Sequence, residues 1–270
     1  MPASLGYRRF AAILSANEGP HFPFGSRDAP FPLPARRTTA KTDSIMLSQA
    51  IGSLLPSAIG VALSPVPIIA VILMLGTPRA RSNGTVFALG WVAGLVAVSV
   101  IVLSVAGGAS NPNSDTATGV NWLDVLLGVL FVAMAARQWR GRPKRGEEAT
   151  MPQWMASIDG FGAGKSAGLG VLLSGVNPKN LALTLAAAAG IAQAGLSGGQ
   201  NAVAVAVFVV IGSLSVAGPV LYFLLAPARA AALLATIKEF MSDHNAVIMM
   251  VILLVLGLKL LGAGIGGLGR

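Results

Sequence analysis

The sequence predicts an all-α integral membrane protein with six transmembrane helices, arranged as two inverted three-helix repeats in which helices 1 and 4 are broken. Three observations lead to this fold class. Hydrophobic residues make up 54% of the 270 residues and charged residues only 11%, whereas a soluble domain carries about 25% charged residues. Six apolar blocks alternate with short polar connections. Two of the blocks contain a similar proline motif at corresponding places.

The six apolar blocks are the predicted membrane spans. A transmembrane helix needs about 20 predominantly apolar residues, and all blocks except the short third one approach or exceed that length. The blocks are apolar on all sides, so each must face lipid or other helices. They lie at about residues 46–76, 84–106, 122–136, 166–190, 202–225 and 246–268.

The chain divides into four predicted segments. Residues 1–45 are basic and proline-rich without an apolar run of spanning length, which predicts a disordered extension. The other three segments are a first three-helix repeat at 46–140, a basic cytoplasmic loop at 141–165 and a second three-helix repeat at 166–270.

The basic residues predict the orientation in the membrane. Lys and Arg occur in the connections at 77–83, 137–165 and 226–245, and the other two connections have none. The positive-inside rule therefore places these three connections in the cytoplasm and both termini outside. The basic residues within 1–45 conflict with an external N-terminus. Two readings remain open, namely that translation begins at Met46 or that the extension is a translocated tail.

The two proline motifs share the pattern Leu-Ser-x-Val followed by proline. They are Leu63-Ser64-Pro65-Val66-Pro67 and Leu173-Ser174-Gly175-Val176-Asn177-Pro178. Proline breaks a helix because it lacks the N–H group and clashes with the preceding turn. A repeat of three spans must insert its second copy upside down, and inverted repeats with broken helices are typical of secondary transporters. The alternative is that these prolines only kink their helices.

The polar residues around the motifs are the predicted substrate path. A charged side chain inside a membrane is costly, so the presence of Lys179 within an apolar block suggests a function. Lys179 could attract an anionic head group or a carboxylate beside a half-helix N-terminus. The alternative is that Lys179 and Lys259 extend their ammonium groups to the membrane edge. The predicted path comprises Ser64, Pro65, Pro67, Asn83, Ser174, Asn177, Pro178, Lys179 and Asn180.

Other classes of function are disfavoured by what the sequence lacks. The chain has no cysteine and only two histidines, so we expect no disulfide, cysteine nucleophile or histidine metal cluster. Carboxylates are nearly absent from the blocks, which argues against a metal substrate and leaves Asp124 as the one candidate proton carrier. No acid–base pair suggests a membrane enzyme. We therefore predict no catalytic residue, metal site or cofactor, and no binding to nucleic acid.

One resemblance makes this prediction more specific. The segment Ala62 to Leu75, followed by Thr77-Pro78-Arg79-Ala80-Arg81-Ser82-Asn83-Gly84 and Gly90-Trp91, resembles the GAP family of the LysE transporter superfamily. That family includes the actinobacterial sulfolipid- and glycopeptidolipid-addressing proteins. Asn177-Pro178-Lys179-Asn180-Leu181 is similar to the second-half signature of the superfamily. The resemblance covers about residues 46–268.

The resemblance implies a six-helix exporter of a cell-envelope lipid or its precursor, located in the bacterial plasma (inner) membrane. Membrane lipids and the transported solute are then the expected partners, and a homo-oligomer or lipid-export machinery remains open. Amino-acid exporters of the superfamily usually have a Pro-Gly-Pro motif, whereas this chain has Pro65-Val66-Pro67. Amino-acid export therefore stays only an alternative. Another is a non-transporting assembly partner that docks through its basic loop at 137–145.

Overall fold

The computed structural model describes residues 35–109, 122–142 and 153–266. These residues are almost entirely helical and include no strand, which confirms the predicted all-α class. A 3₁₀ segment, Gln153–Gly160, precedes α5, and a π-helical turn, Leu172–Val176, follows it. The helices are α1 (Ala35–Ala62), α2 (Pro65–Leu75), α3 (Ala80–Ala109), α4 (Trp122–Arg140), α5 (Ala163–Val171), α6 (Pro178–Gln193), α7 (Gly198–Leu225), α8 (Pro227–Asp243) and α9 (Asn245–Ile265).

Four stretches of the described helices are long and apolar enough to cross a membrane. They lie within α1, α3, α7 and α9, at Thr42–Ala62, Ala80–Val105, Gly198–Leu225 and Asn245–Ile265. Outer surfaces of these helices expose large aliphatic side chains, such as Ile101, Val210 and Val255, as expected for helices that face lipid. These four candidate spans confirm the prediction of a membrane-embedded protein.

Two segments differ from the sequence-based prediction. The predicted disordered extension at 1–45 is wrong for its last part, because α1 already begins at Ala35. The last proline before that helix is Pro34, and residues 35–41 include good helix formers, so nothing interrupts the helix there. Residues 1–34 lie outside the described part. The connection at 226–245 was predicted as a loop but contains α8, which begins at Pro227. Proline is favourable at the first helical position because its missing N–H would be unpaired anyway.

Helix α3 lies at the centre of the compact unit that extends from Ala40 onward. It packs against α2, α5, α6 and α7, while α4 packs on α9 and α8 packs on α2 and α7. The aromatic side chains Phe87 and Trp91 of α3 are fully buried, as are Phe131 of α4 and Phe208 of α7. These four rings belong to the buried apolar core of the protein.

Glycines let the helix backbones approach closely at two crossings. Where α3 meets α5, a Cβ added to Gly90 would overlap the carbonyl oxygen of Ala167. Where α4 meets α9, a Cβ at Gly128 would lie 2.8 Å from Leu261 N, and one at Gly257 would lie 3.0 Å from Gly128 O. Small residues at such contacts are the usual basis of helix packing in membranes, where van der Waals contact replaces the hydrophobic effect.

The structure has a break at each of the two proline motifs. Helix α1 ends at Ala62 and α2 begins at Pro65, because Pro65 cannot donate an N–H group to the carbonyl of Val61. Ser64 N instead donates to that carbonyl at 3.2 Å. In the second motif, Asn177 N donates to Leu172 O at 3.0 Å in a π-type turn, and α6 begins at Pro178. Each proline thus ends one helix and starts the next.

Candidate functional site

A buried chain of hydrogen bonds, which we call the Lys179 relay, joins the two helix breaks. Lys179 Nζ donates to Ser64 Oγ at 2.8 Å, and Ser64 Oγ donates to Asn180 Oδ1 at 2.8 Å. Asn180 Nδ2 in turn donates to the carbonyl of Leu173 at 2.9 Å. The three side chains have exposures of only 1%, 3% and 0%. Residues that are more than a hundred positions apart in the sequence therefore form one polar site inside the protein.

The hydrogen bond from Asn180 to Leu173 satisfies a backbone carbonyl that the second helix break leaves without its helical donor. The carbonyl of Leu173 would normally accept from the N–H group of Asn177, but that group donates to Leu172 O instead. The side chain of Asn180 supplies the missing donor. Buried backbone carbonyls inside a membrane need such a partner, because lipid cannot provide one. Thr184, one turn later, is also buried, and its Oγ1 donates to Asn180 O at 2.8 Å.

Two helix N-termini meet at the Lys179 relay. Ser64 immediately precedes the first turn of α2, and Asn177 caps α6 by accepting a hydrogen bond from Lys179 N at 3.1 Å. A helix N-terminus carries a partial positive charge of about half an elementary charge, and it attracts anions. The lysine ammonium adds its own charge at the same place. The geometry therefore concentrates positive potential in a site of very low solvent exposure.

Nothing in the described part of the chain balances this charge. Within those residues, Lys179 Nζ has Ser64 Oγ as its one hydrogen-bond acceptor and forms no ion pair with a carboxylate. An ammonium has three N–H donors, and a buried charge is normally paired because its desolvation is expensive. The amine of Lys179 and the hydroxyl of Ser64 are the polar groups of the relay whose chemistry suits an anionic partner.

The other predicted path residues take different positions. Pro65 and Pro178 begin the two half-helices, and Pro67 is buried in the first turn of α2. Ser174 is fully buried but donates to the carbonyl of Val171 at 3.2 Å, outside the Lys179 relay. Asn83 is also buried, and its Nδ2 donates to the carbonyl of Phe161 at 2.9 Å. The structure thus unites Ser64, Asn177, Lys179 and Asn180 and leaves Ser174 and Asn83 outside their hydrogen-bond network.

Lys259 holds helices together away from the Lys179 relay. Its side chain is exposed, and Nζ donates to the carbonyl of Ser53 on α1 at 2.9 Å. It also interacts electrostatically with Asp124 of α4. Lys259 therefore ties α9 to two neighbouring helices, and it provides a natural control for experiments on Lys179.

The sequence contained a further signal that the predictions did not use. Gly90 and Gly94 are spaced as Gly-x-x-x-Gly on α3, and Ser166, Gly170 and Ser174 repeat a small residue at the same spacing. A Cβ added to Gly94 would overlap Ser174 Oγ, and one added to Gly170 would overlap the carbonyl of Phe87. Paired small-residue spacings of this kind indicate a close crossing of two membrane helices, and here they position the second break against α3.

The family model described as Sap, sulfolipid-1-addressing protein, matches residues 54–266. The chain belongs to this family. The match begins within α1 and ends at the close of α9, so the family region contains both helix breaks and the whole Lys179 relay. This result confirms the resemblance inferred from the proline motifs. No curated protein and no solved structure is similar enough to the chain to add a second comparison.

Proposed function

We propose that this protein is a membrane transporter that exports an anionic amphiphile, such as a cell-envelope lipid or its precursor. The head group would bind at the Lys179 relay, between the two helix breaks. The name of the family refers to a sulfolipid, and a sulfate or phosphate head group is an oxyanion that lysine and helix N-termini bind well.

One observation carries this proposal. The ammonium of Lys179 is buried beside two helix N-termini, and the described residues offer it no carboxylate. A lysine that served only to stabilise the fold would be expected to have an anionic partner, because removing an unpaired charge from water costs several kcal/mol. A transported oxyanion would supply that partner during part of the cycle.

The proposal includes six spans in two inverted halves. Each half would contain a broken helix, then a long helix, then a third helix. These are α1–α2, α3 and α4 in the first half and α5–α6, α7 and α9 in the second, with α8 as an additional cytoplasmic helix. The exposed arginines Arg137, Arg140 and Arg142 at the end of α4 support a cytoplasmic location for that end. A reporter fused after Arg145 should therefore give a cytoplasmic signal, and an external signal would reject this orientation.

A transport assay tests the role of Lys179. The full chain is reconstituted into liposomes containing a fluorescent lipid with a sulfate or phosphate head group, and movement of the lipid between leaflets is measured. We expect the unmodified protein to move the anionic lipid much faster than a zwitterionic lipid with the same chains. Lys179→Met should abolish this activity, whereas Lys259→Met should retain most of it. No movement by the unmodified protein, or full activity of Lys179→Met, would reject the proposal.

A stability measurement separates loss of binding from loss of fold. Methionine is close to lysine in length and replaces an unpaired buried amine with an apolar side chain, and such replacements of buried charge are often neutral or stabilising. We expect the melting temperature of Lys179→Met in detergent to equal or exceed that of the unmodified protein. An inactive but stable variant would show that the lysine is present for binding rather than for folding.

The helix breaks can be tested in the same assay. Substituting both Pro65→Ala and Pro178→Ala restores a backbone N–H donor at each break, so the half-helices can become more continuous. We expect transport to fall sharply in this double variant. Full transport would show that the breaks are not required.

The proposed protein is not an enzyme. Chemistry on a lipid would need a nucleophile with its base or an acid–base pair. The side-chain groups that meet in the Lys179 relay are an amine, a hydroxyl and one amide, which suit binding better than proton transfer. Incubation of the reconstituted protein with the lipid probe should therefore leave the mass of the probe unchanged.

A further inference from the structure

A second site lies between α3 and α7, on a different face of α3 from the helix breaks. It is a groove of about 640 Å³, within the range of roughly 300–1,000 Å³ that is common for small-molecule sites. Val96 and Val100 form the wall on α3, and Val205 and Val209 form the wall on α7. Both helices are candidate membrane spans, so the open side of the groove faces hydrocarbon.

The groove is polar at one end only. Ser104 and Asn201 lie at that end, near the last turns of α3 and the first turns of α7, and the residues deeper in the groove are mostly valine and alanine. This gradient runs along the helix axes, from the start of a membrane span towards its centre. It therefore has the same direction as the polarity of a lipid molecule in a bilayer.

The side-chain oxygen of Asn201 accepts no hydrogen bond from the described residues. Its backbone N donates to Ser197 O at 2.8 Å, and its Nδ2 lies 3.5 Å from Leu196 O, which hold the side chain at the rim. Its Oδ1 is buried and has no hydrogen-bond partner in the described part of the protein. A buried acceptor without a partner is unfavourable, so this oxygen is suited to a ligand that brings an O–H or N–H group.

The length of the groove matches one leaflet. Asn201 and Val209 are eight residues apart on one helix, which corresponds to about 12 Å at the rise of an α-helix. One leaflet of the hydrocarbon core is about 15 Å thick, half of the usual thickness. An acyl chain that begins at the polar rim would therefore run along the valines to near the middle of the membrane.

We propose that this groove binds one molecule of membrane lipid. A hydroxyl of its head group donates to Asn201 Oδ1, and one acyl chain lies along Val96, Val100, Val205 and Val209. The lipid class is defined by a hydroxyl-bearing head group rather than by charge, which distinguishes this site from the Lys179 relay. The proposal does not rest on transport, since a lipid can occupy the groove whether or not the protein moves lipid.

Crosslinking in nanodiscs tests this site. The full chain is placed in nanodiscs with phosphatidylglycerol that carries a photoactivatable group in one acyl chain, and the crosslinked residues are mapped by mass spectrometry. Phosphatidylmethanol with the same chain is the comparison, because it has the same anionic phosphodiester but its head group has no O–H or N–H donor. We expect crosslinks at the groove valines, about fivefold stronger for phosphatidylglycerol, a difference that corresponds to about 1 kcal/mol.

Matched variants distinguish the groove from the general lipid-facing surface. Ala206→Trp fills the groove from α7, and Val100→Trp fills it from α3. Val203 lies on α7 near Ala206, is 47% exposed and does not line the groove, so Val203→Trp is the control. We expect both filling variants to lose about nine-tenths of the groove crosslinks, and Val203→Trp to keep them. The second filling variant keeps the test decisive if the first one fails to fold.

Two further variants make the result specific. Asn201→Leu should remove the preference for phosphatidylglycerol over phosphatidylmethanol while leaving a crosslinked chain in the groove. Lys179→Met should leave the groove crosslinks unchanged, so failure of the transport proposal would not be mistaken for failure of this one. Equal crosslinking in Ala206→Trp, Val100→Trp and Val203→Trp would overturn the proposal. Absence of lipid crosslinks at the groove valines in the unmodified protein would also overturn it.

Discussion

The two helix breaks begin with the same residue type but complete the interrupted helix in different ways. At the first break, a tight turn lets Ser64 N donate to the carbonyl of Val61, and the Ser64 side chain makes its bonds to the other half. At the second break, the chain widens into a π-helical turn, Asn177 caps α6, and Asn180 satisfies the carbonyl of Leu173. At the first break, the carbonyl of Val61 is satisfied by a backbone donor, whereas at the second break the carbonyl of Leu173 is satisfied by a side chain.

This difference shows that two similar proline motifs need not carry the same chemistry. The second motif contributes the lysine and both asparagines of the site, and the first contributes a single hydroxyl. The helices that pack against the two breaks also differ, because the contact at the second break is closer. Gly94 of α3 faces Ser174 at the second break, and Gly212 of α7 faces Val61 at the first. We therefore expect substitutions at the second break to have larger effects than their counterparts at the first.

The largest difference should come from the paired glycines. A Cβ at Gly94 would overlap Ser174 Oγ and lie 3.1 Å from the carbonyl of Val171, whereas a Cβ at Gly212 would lie 3.3 Å from a methyl group of Val61. We expect Gly94→Ala to lower the free energy of unfolding by about 3 kcal/mol, in the upper part of the usual range for overpacking. Gly212→Ala should cost less than about 1 kcal/mol, because a side-chain methyl can move more easily than a backbone carbonyl.

Unfolding by SDS titration in mixed micelles measures both free energies. Gly168 of α5 has no atom within 4 Å of an added Cβ, so Gly168→Ala should change the stability little. If Gly94→Ala and Gly212→Ala had equal costs, the asymmetry between the breaks would not extend to packing.

The next largest difference concerns the relay side chains. Asn180→Leu leaves the carbonyl of Leu173 without its side-chain donor and also removes the acceptor of Ser64 Oγ. We expect it to lower the free energy of unfolding by about 2 kcal/mol, within the range for buried groups that lose their partners. In the Lys179→Met background, where no ammonium loses its acceptor, Ser64→Ala should cost about 1 kcal/mol, because the carbonyl of Val61 keeps its backbone donor.

The same SDS titration measures the relay variants. Asn201→Leu is the control for Asn180→Leu, because both replace an asparagine by leucine. Asn201 Oδ1 has no partner among the described residues, so its replacement by leucine should be nearly neutral in the absence of lipid. A cost for Ser64→Ala greater than that for Asn180→Leu would contradict the view that the second break depends more on side chains.

The last comparison, at the cap of α6, concerns a single hydrogen bond. Asn177→Ala removes the hydrogen bond from Lys179 N, and loss of such a cap typically costs about 1 kcal/mol. Ser64 makes no equivalent cap bond at the first break. Asn177→Asp restores an acceptor and should recover most of the stability. If Asn177→Ala and Asn177→Asp were equally unstable, the cap would not be the source of the effect.

The sequence by itself determined the features that depend on local physics. Apolar blocks of spanning length indicated membrane helices, because backbone polar groups in lipid must be satisfied within the helix. The two proline motifs located both breaks, since a residue without an N–H group interrupts a helix wherever it occurs. Four of the nine predicted path residues, Ser64, Asn177, Lys179 and Asn180, proved to belong to one hydrogen-bonded site.

Only the tertiary structure decided which of those polar residues meet. In the sequence, Asn83 and Ser174 are polar residues in or beside apolar blocks, as Ser64 and Asn180 are. Their side chains nevertheless donate to the carbonyls of Phe161 and Val171. The bond between Lys179 and Ser64 joins the start of α6 to the start of α2, and the close crossing of α3 with α5 at Gly90 and Gly170 brings the second break against α3. Hydrogen bonds between distant residues depend on angles and separations of whole helices, which no short sequence pattern contains. For the same reason, the groove at Asn201 became visible only when α3 and α7 were seen side by side.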